Sequence, residues 1–287
     1  MEGVMARVSI VIPCYNAGDL ILEAVESALA QTYADIELVI VDDGSTDPRS
    51  REILDRASWP RTTIIRQPNA GPAAARNRAV AAASGDYILP LDADDRIDPT
   101  YVEKAIAVLE TRPEVGVVYC RAMKFGAESG PWSLPRYDLR ELVIDNVIFV
   151  TALYRKADWA AVGGYSETLR HGVEDYEFWV KMVALGRDVV QLDEFLFFYR
   201  IQDVSRTSEF QQDRSAVVKT YADIFRNNSE FYLRNAEYLF EHRFGLYDEL
   251  LRYRSRYGLV DQIITKRPWL ERWARAANRL LRKLVRK

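Results

Sequence analysis

The sequence predicts an α/β fold in which a mainly parallel sheet is flanked by helices, followed by a helical C-terminal extension. Three observations carry this. Through the first half of the 287 residues, short apolar runs alternate with stretches whose apolar residues recur at helical spacing. The runs end in polar clusters, Cys14-Tyr15-Asn16, Asp42-Asp43-Gly44 and Asp92-Ala93-Asp94, at the carboxyl edge where open α/β sheets bind ligands. Beyond about Arg206 the strand signals stop and helical stretches alone continue. The boundaries drawn are 1–208 for the α/β domain and 209–287 for the extension.

VSIVIPCYN, Val8 to Asn16, is an apolar run closed by Pro13 and Asn16, as in a buried parallel strand. LILEAVESALAQ follows, with Leu22, Val25, Ala28 and Leu29 at the spacing of an amphipathic helix. IELVIVDDGSTD is a strand that breaks into a turn at Asp42, SREILDRA a helix, and TTIIRQ a strand. GPAAARNRAVAAAS is an Ala-rich helix with Pro72 near its first turn. GDYILPLDADD runs from strand into acids, PTYVEKAIAVLET is a helix opened by Pro99, and VGVVYCRAM is a further strand. Helices between successive strands imply right-handed crossovers and parallel pairing. The second half is less regular. FVTALYRKADWAAVGGYSE holds a strand, a short helix and a Gly163-Gly164 turn. EDYEFWVKMVALG opens on Glu174 and Asp175 and stops at Gly186, ordinary helix punctuation.

The composition, 48% hydrophobic and 28% charged, suits a globular protein with a sizeable core. Cys14 and Cys120 lie in strand-like runs and are expected as buried free thiols. There is no run of 18 apolar residues and no basic, apolar leader at the N-terminus, so the expected location is the cytoplasm. The formal charge of −3 is uneven. Lys266 to Lys287 carries +8, which leaves −11 on the rest and argues against nucleic-acid binding by the body. In the tail, Trp269, Trp273, Leu280 and Leu284 recur at helical spacing among Arg and Lys. Such a helix lies on an anionic membrane surface or packs its apolar stripe on protein.

Asp92, Asp94 and Asp95 repel one another unless a cation sits among them. Mg²⁺ and Mn²⁺ favour such carboxylates together with phosphate oxygens. A solvated loop or a helix cap is the bland reading of a short acidic cluster, but an apolar strand leading straight into it holds the acids at the ligand edge. Neither G-x-G-x-x-G nor G-K-[ST] occurs, so a Gly-rich phosphate loop is not available.

VSIVIPCYN, VDDGSTD, NAGPAAARN, GDYILPLDADD, VGGYSE and EDYEFWVKMVALG stand in the order found in family 2 glycosyltransferases, and Val8 to Ser208 resembles that family. The resemblance implies a GT-A fold, a single Rossmann-like domain. It also implies an inverting transferase that moves a sugar from a nucleotide-diphosphate donor, a UDP-sugar first, to a hydroxyl of a saccharide or lipid-linked saccharide. A divalent cation, Mn²⁺ or Mg²⁺, is the implied cofactor, and bacterial cell-surface polysaccharide or glycoconjugate synthesis the implied setting. Carried onto matching positions, Pro13 and Tyr15 line the base pocket, Asp43 bonds the base with Asp42 nearby, and Arg76 approaches the donor. Asp92 meets the ribose or the metal, Asp94 ligates the metal, and Asp95 orients its neighbours or the sugar. Asp175 is the general base, with Glu174 and Trp179 shaping the acceptor pocket.

Where many relatives have a histidine after the closing YR, this chain has Gln202, so no histidine ligand is expected; His171 could touch the acceptor. A haloacid-dehalogenase-type phosphatase also places D-x-D after a strand, but Arg96 stands where that chemistry wants Thr or Val. Glycoside hydrolysis needs paired carboxylates but neither a metal nor a nucleotide pocket. A non-catalytic sugar-nucleotide-binding or scaffold protein on the same fold is the remaining alternative.

Overall fold

The computed structural model describes residues 6–169, 172–202, 210, 212–267 and 269–270. The first half alternates as β1 (Val8–Cys14), α1 (Leu20–Leu29), β2 (Ile36–Asp42), α2 (Pro48–Arg56), β3 (Thr62–Arg66), α3 (Pro72–Ala82) and β4 (Tyr87–Pro90). There follow β5 (Arg96–Ile97), α4 (Tyr101–Thr111), β6 (Val115–Gly126), β7 (Gly130–Trp132), α5 (Leu139–Ile144), β8 (Leu153–Arg155), α6 (Lys156–Val162), α7 (Glu174–Ala184) and β9 (Asp188–Ile201).

The described strands form one nine-stranded sheet in the order β3-β2-β1-β4-β8-β6-β9-β5, with β7 beside β6. The first four are parallel, as their crossover helices require. Ile10, Ile12, Leu38 and Ile40 are wholly buried, which is why β1 and β2 read as continuous apolar runs. Ala75 and Ala79 of α3 are likewise buried, and small side chains let this helix lie close to the sheet.

Beyond β4 the sheet is mixed. β8 runs antiparallel to both β4 and β6, because the chain returns to it through β7 and the six-residue α5 rather than a full crossover helix. β9 pairs in parallel with β6 through three register shifts, and antiparallel with the two-residue β5. That last pairing carries the end of β9 to the acidic turn after β4.

The first compact unit extends past residue 208, to Arg234. It takes in α8 (Arg214–Asn227) and α9 (Ser229–Arg234), whose Ile224, Phe231 and Tyr232 are buried. The Tyr232 and Tyr176 hydroxyls lie 3.1 Å apart, and Asn227 Nδ2 donates to Glu177 Oε1 at 2.8 Å. The second unit begins at Asn235 and contains α10 (Ala236–Lys266). Most of the basic tail and His171 lie outside the described residues. No described helix is long and apolar enough to cross a membrane. Cys14 and Cys120 are buried and free, and burial pushes each thiol up to about 12.

Candidate active site

The site is assembled from the ends of parallel strands. At the end of β1, Asn16 adopts φ +51°, and its Oδ1 accepts from the N–H groups of Thr46 (2.7 Å) and Asp47 (2.9 Å). This ties the β1 tip to the β2–α2 turn. At the end of β2, Asp43 accepts from Gln67 Nε2 (2.7 Å) and from the N–H groups of Ala70 and Gly71 (both 2.9 Å). The segment before α3 is thereby wrapped around one carboxylate. Asp42 points elsewhere: it is 6% exposed, accepts from Ser45 N at 2.9 Å, and sits 3.7 Å from Arg66 Nε.

The acids after β4 are held by two arginines. Arg76, only 2% exposed, donates from Nη2 to Asp92 Oδ1 (2.6 Å) and from Nη1 to Glu174 Oε1 (2.7 Å). Burial works against its charge, but Asp92 and Glu174 outweigh burial and raise its pKa. From β9, Arg200 donates its backbone N–H to Asp95 Oδ1 and its Nε to the Asp94 carbonyl, both at 2.8 Å. Burial, reinforced by Asp92, raises the Asp94 carboxyl above the usual aspartate range. Burial raises Asp95 further, with Asp94 and Asp92 adding to it.

Two clefts meet here. One, of ≈ 580 Å³, is lined by Pro13, Tyr15, Asp43, Arg76, Asp92 and Asp94, together with Tyr199 and Gln202. The other, of ≈ 390 Å³, is lined by Asp95, Glu174, Asp175, Asn146, Trp132 and Tyr199, and again by Arg76 and Asp92. Asp175 opens α7, accepting from Tyr176 N (2.9 Å) and Asn146 Nδ2 (3.1 Å). Trp132 stacks on Tyr199 with ring centres 4.5 Å apart. Burial, with Asp95 next, pushes the Tyr199 hydroxyl up to about 12, so it stays protonated at neutral pH.

The structure thus gathers the expected residues except two. Trp179 does not reach the acceptor side: it is fully buried against Phe178 and Tyr154, on the inward face of α7. Asp42 lies behind the cleft wall. Arg76 lines both clefts, yet its terminal nitrogens are engaged by Asp92 and Glu174 rather than extended towards a donor. Tyr199, Asn146 and Trp132 are site residues without a sequence signal of their own, except that Tyr199 immediately precedes Arg200 in the closing FYR.

Asp92 and Asp94 fit a hard cation in donor chemistry, because an ion between them offsets both the burial of the Asp94 carboxylate and its repulsion by Asp92. Gln202 Nε2 lies 2.6 Å from Asp94 Oδ2, so its amide stands beside the same pair. Among the described residues no three His, Cys, Asp or Glu converge as a complete metal cage. The fit is therefore to a cation shared with phosphate oxygens, the usual arrangement for Mg²⁺-like ions.

Comparison with known proteins gives the family and the fold. The Escherichia coli K12 protein "Uncharacterized glycosyltransferase YibD" is 30% identical over 266 residues, 91% of this chain and 70% of that protein. An Escherichia coli chondroitin synthase is 33% identical over 184 residues, 62% of this chain but only 27% of that synthase. S. aureus TarS 1-349 in complex with UDP-GlcNAc matches with a TM-score of 0.64 at 22% identity, over 81% of this chain and 71% of that one. Mannosyltransferase PcManGT from Pyrobaculum calidifontis, in complex with GDP-Man and Mn²⁺, gives 0.60 at 20%, over 80% and 70%. These likenesses establish the GT-A fold. The model for "Glycosyl transferase family 2" matches residues 9–163, more than half of the chain, and the chain belongs to that family.

Proposed function

We propose that this protein is an inverting glycosyltransferase. It transfers a sugar from a nucleotide-diphosphate sugar, a UDP-sugar first, to a hydroxyl of a saccharide or lipid-linked saccharide acceptor in polysaccharide or glycoconjugate synthesis. One observation carries the reading: two clefts share the wall Arg76, Asp92 and Tyr199, with Asp94 in one and Asp175 in the other. The chondroitin synthase relative and the sugar-nucleotide complexes of the structural neighbours support it.

On this reading Pro13, Tyr15 and Asp43 hold the nucleoside in the first cleft. Asp92 and Asp94 hold the divalent cation, with Gln202 beside them. When bound, the cation offsets the charge that develops on the diphosphate leaving group. Asp175 takes the proton of the acceptor hydroxyl as its oxygen bonds to the sugar carbon and the bond to the diphosphate breaks. Base and leaving group occupy separate clefts, which suits displacement from the face opposite the diphosphate and hence inversion. The sequence pattern of the basic tail supports peripheral contact with an anionic membrane.

The test is Asp175→Asn. Nucleoside diphosphate release in the presence of acceptor is expected to fall ~10²–10⁴-fold, while the donor still raises the melting temperature as in wild type. Near-normal turnover by this variant overturns the assignment.

A further inference from the structure

α10 is a 31-residue helix with no buried side chain. Helices of globular proteins average about a third of that length, and a long, uncovered apolar pattern is the mark of a helix awaiting another helix. Leu239, Leu246, Leu250, Tyr253, Tyr257, Val260 and Ile264 recur at spacings of four and three, with Arg243 in the one polar slot of the series. This is the 3.5-residue period of a two-stranded seam. Leu246, Leu250, Tyr253, Tyr257 and Val260 are all between 42% and 54% exposed. The opposite face, Glu241, Asp248, Ser255 and Gln262, is polar throughout.

The charges beside the seam say what covers it. With the apolar residues at heptad positions a and d, Glu249 and Arg256 stand at g, and Arg254 and Asp261 stand at e. In a parallel, in-register pair each g residue meets the e residue five places on in the other helix. Glu249 then meets Arg254 of the second copy, and Arg256 meets Asp261 of the second copy, in both directions. An antiparallel pair would keep only a Glu249–Arg256 match and set Asp261 against Phe240. A membrane surface selects a basic face, whereas α10 has five acids and five Lys or Arg. A second, shorter stripe, Phe240, Phe244, Tyr247 and Leu251, widens the apolar face at the N-terminal half.

We propose that two copies of this chain associate through α10 as a parallel coiled coil. The inference is independent of the transfer reaction. It is tested on the full-length chain by light scattering after size exclusion. Wild type is expected at the mass of two chains. One variant carries Glu249→Arg with Arg256→Asp, and another Arg254→Glu with Asp261→Arg. Each alone sets like charges against each other and is expected at the mass of one chain. None of the four residues is buried, so both variants should keep wild-type helix content by circular dichroism. Mixed in equal amounts, the two are mutually complementary and should return to the mass of two chains. Wild type at the mass of one chain, or of three or more, overturns the proposal. So does a mixture that stays at one chain. If the first variant keeps wild-type mass, the pairing is antiparallel and the stated register is wrong.

Discussion

Arg76 is the residue through which both halves of the site are joined. Its guanidinium lies between Asp92, at the acidic tip, and Glu174, beside Asp175 on α7. Truncating it takes one charge partner from each of Asp92 and Glu174, the latter only 2% exposed. Arg76→Met is therefore expected to cost about 3–5 kcal/mol in urea unfolding. Adding Glu174→Gln should recover part of that loss, because one of the two carboxylates that lose this partner is then neutral; no recovery would mean the bridge is not the cause. Asp94 provides a pH signature. Its pKa is raised in the folded chain, so the native state binds that proton more tightly than the unfolded state does. The resulting penalty is absent below the ordinary aspartate range, grows as pH rises through the raised value, and is complete above it. Without cation, Asp94→Asn should melt higher than wild type at neutral pH and show a flatter fall in melting temperature across that window. With Mn²⁺ and UDP together the order should reverse, since only wild type gains from the ion. An Asp94→Asn protein stabilised by Mn²⁺ and UDP as strongly as wild type would remove Asp94 from the ligand set. Asp92 and Asp94 were legible from the strand-end pattern, whereas Asp175 read locally as a helix N-terminal charge and took its expected role only from the family resemblance. Asn146, Trp132 and Tyr199 were not legible, because each reaches the site through pairing or packing between segments distant in sequence.

The turns that close the parallel strands carry the site's precision. Gly44 adopts φ +73°, and a Cβ there would lie 2.7 Å from the backbone nitrogen of Asn69. Gly44→Ala thus meets both a disfavoured backbone region and a clash with the segment wrapped around Asp43. The expected cost is about 1–3 kcal/mol, accompanied by a weaker donor-induced thermal shift. Unchanged stability and donor affinity would show that this turn relaxes freely. The entry to α7 is held similarly: Val173 sits at φ +57° immediately before Glu174 and Asp175, so the backbone is turned sharply where the two carboxylates diverge. β9 has a weak strand signal in the sequence. Its 14 residues include Asp188, Asp193 and Glu194 and pair through register shifts, which breaks the regular alternation a strand signal depends on.

At the scale of the molecule, α8 and α9 belong to the first compact unit and bury Ile224, Phe231 and Tyr232. Tyr232 reaches back to Tyr176 on α7, and Asn227 to the fully buried Glu177. A chain ending at Asp213 loses these contacts and the buried Ile224, Phe231 and Tyr232. It is expected to be less stable by at least ~3 kcal/mol and to bind donor poorly, whereas a chain ending at Arg234 should bind donor as the full chain does. Equal stability of the two truncations would refute the need for α8 and α9. The sequence by itself determined the α/β alternation, the acidic strand tips and the acidic helix start of α7. Those depend on local periodicity and on which residues can end a strand or open a helix. Only the tertiary structure decided which way Trp179 and Asp42 face, that Arg76 bridges Asp92 and Glu174, and that β5 and β9 clamp the acidic turn. Each of these depends on contacts between segments far apart along the chain, where burial and charge pairing override what the neighbouring residues indicate.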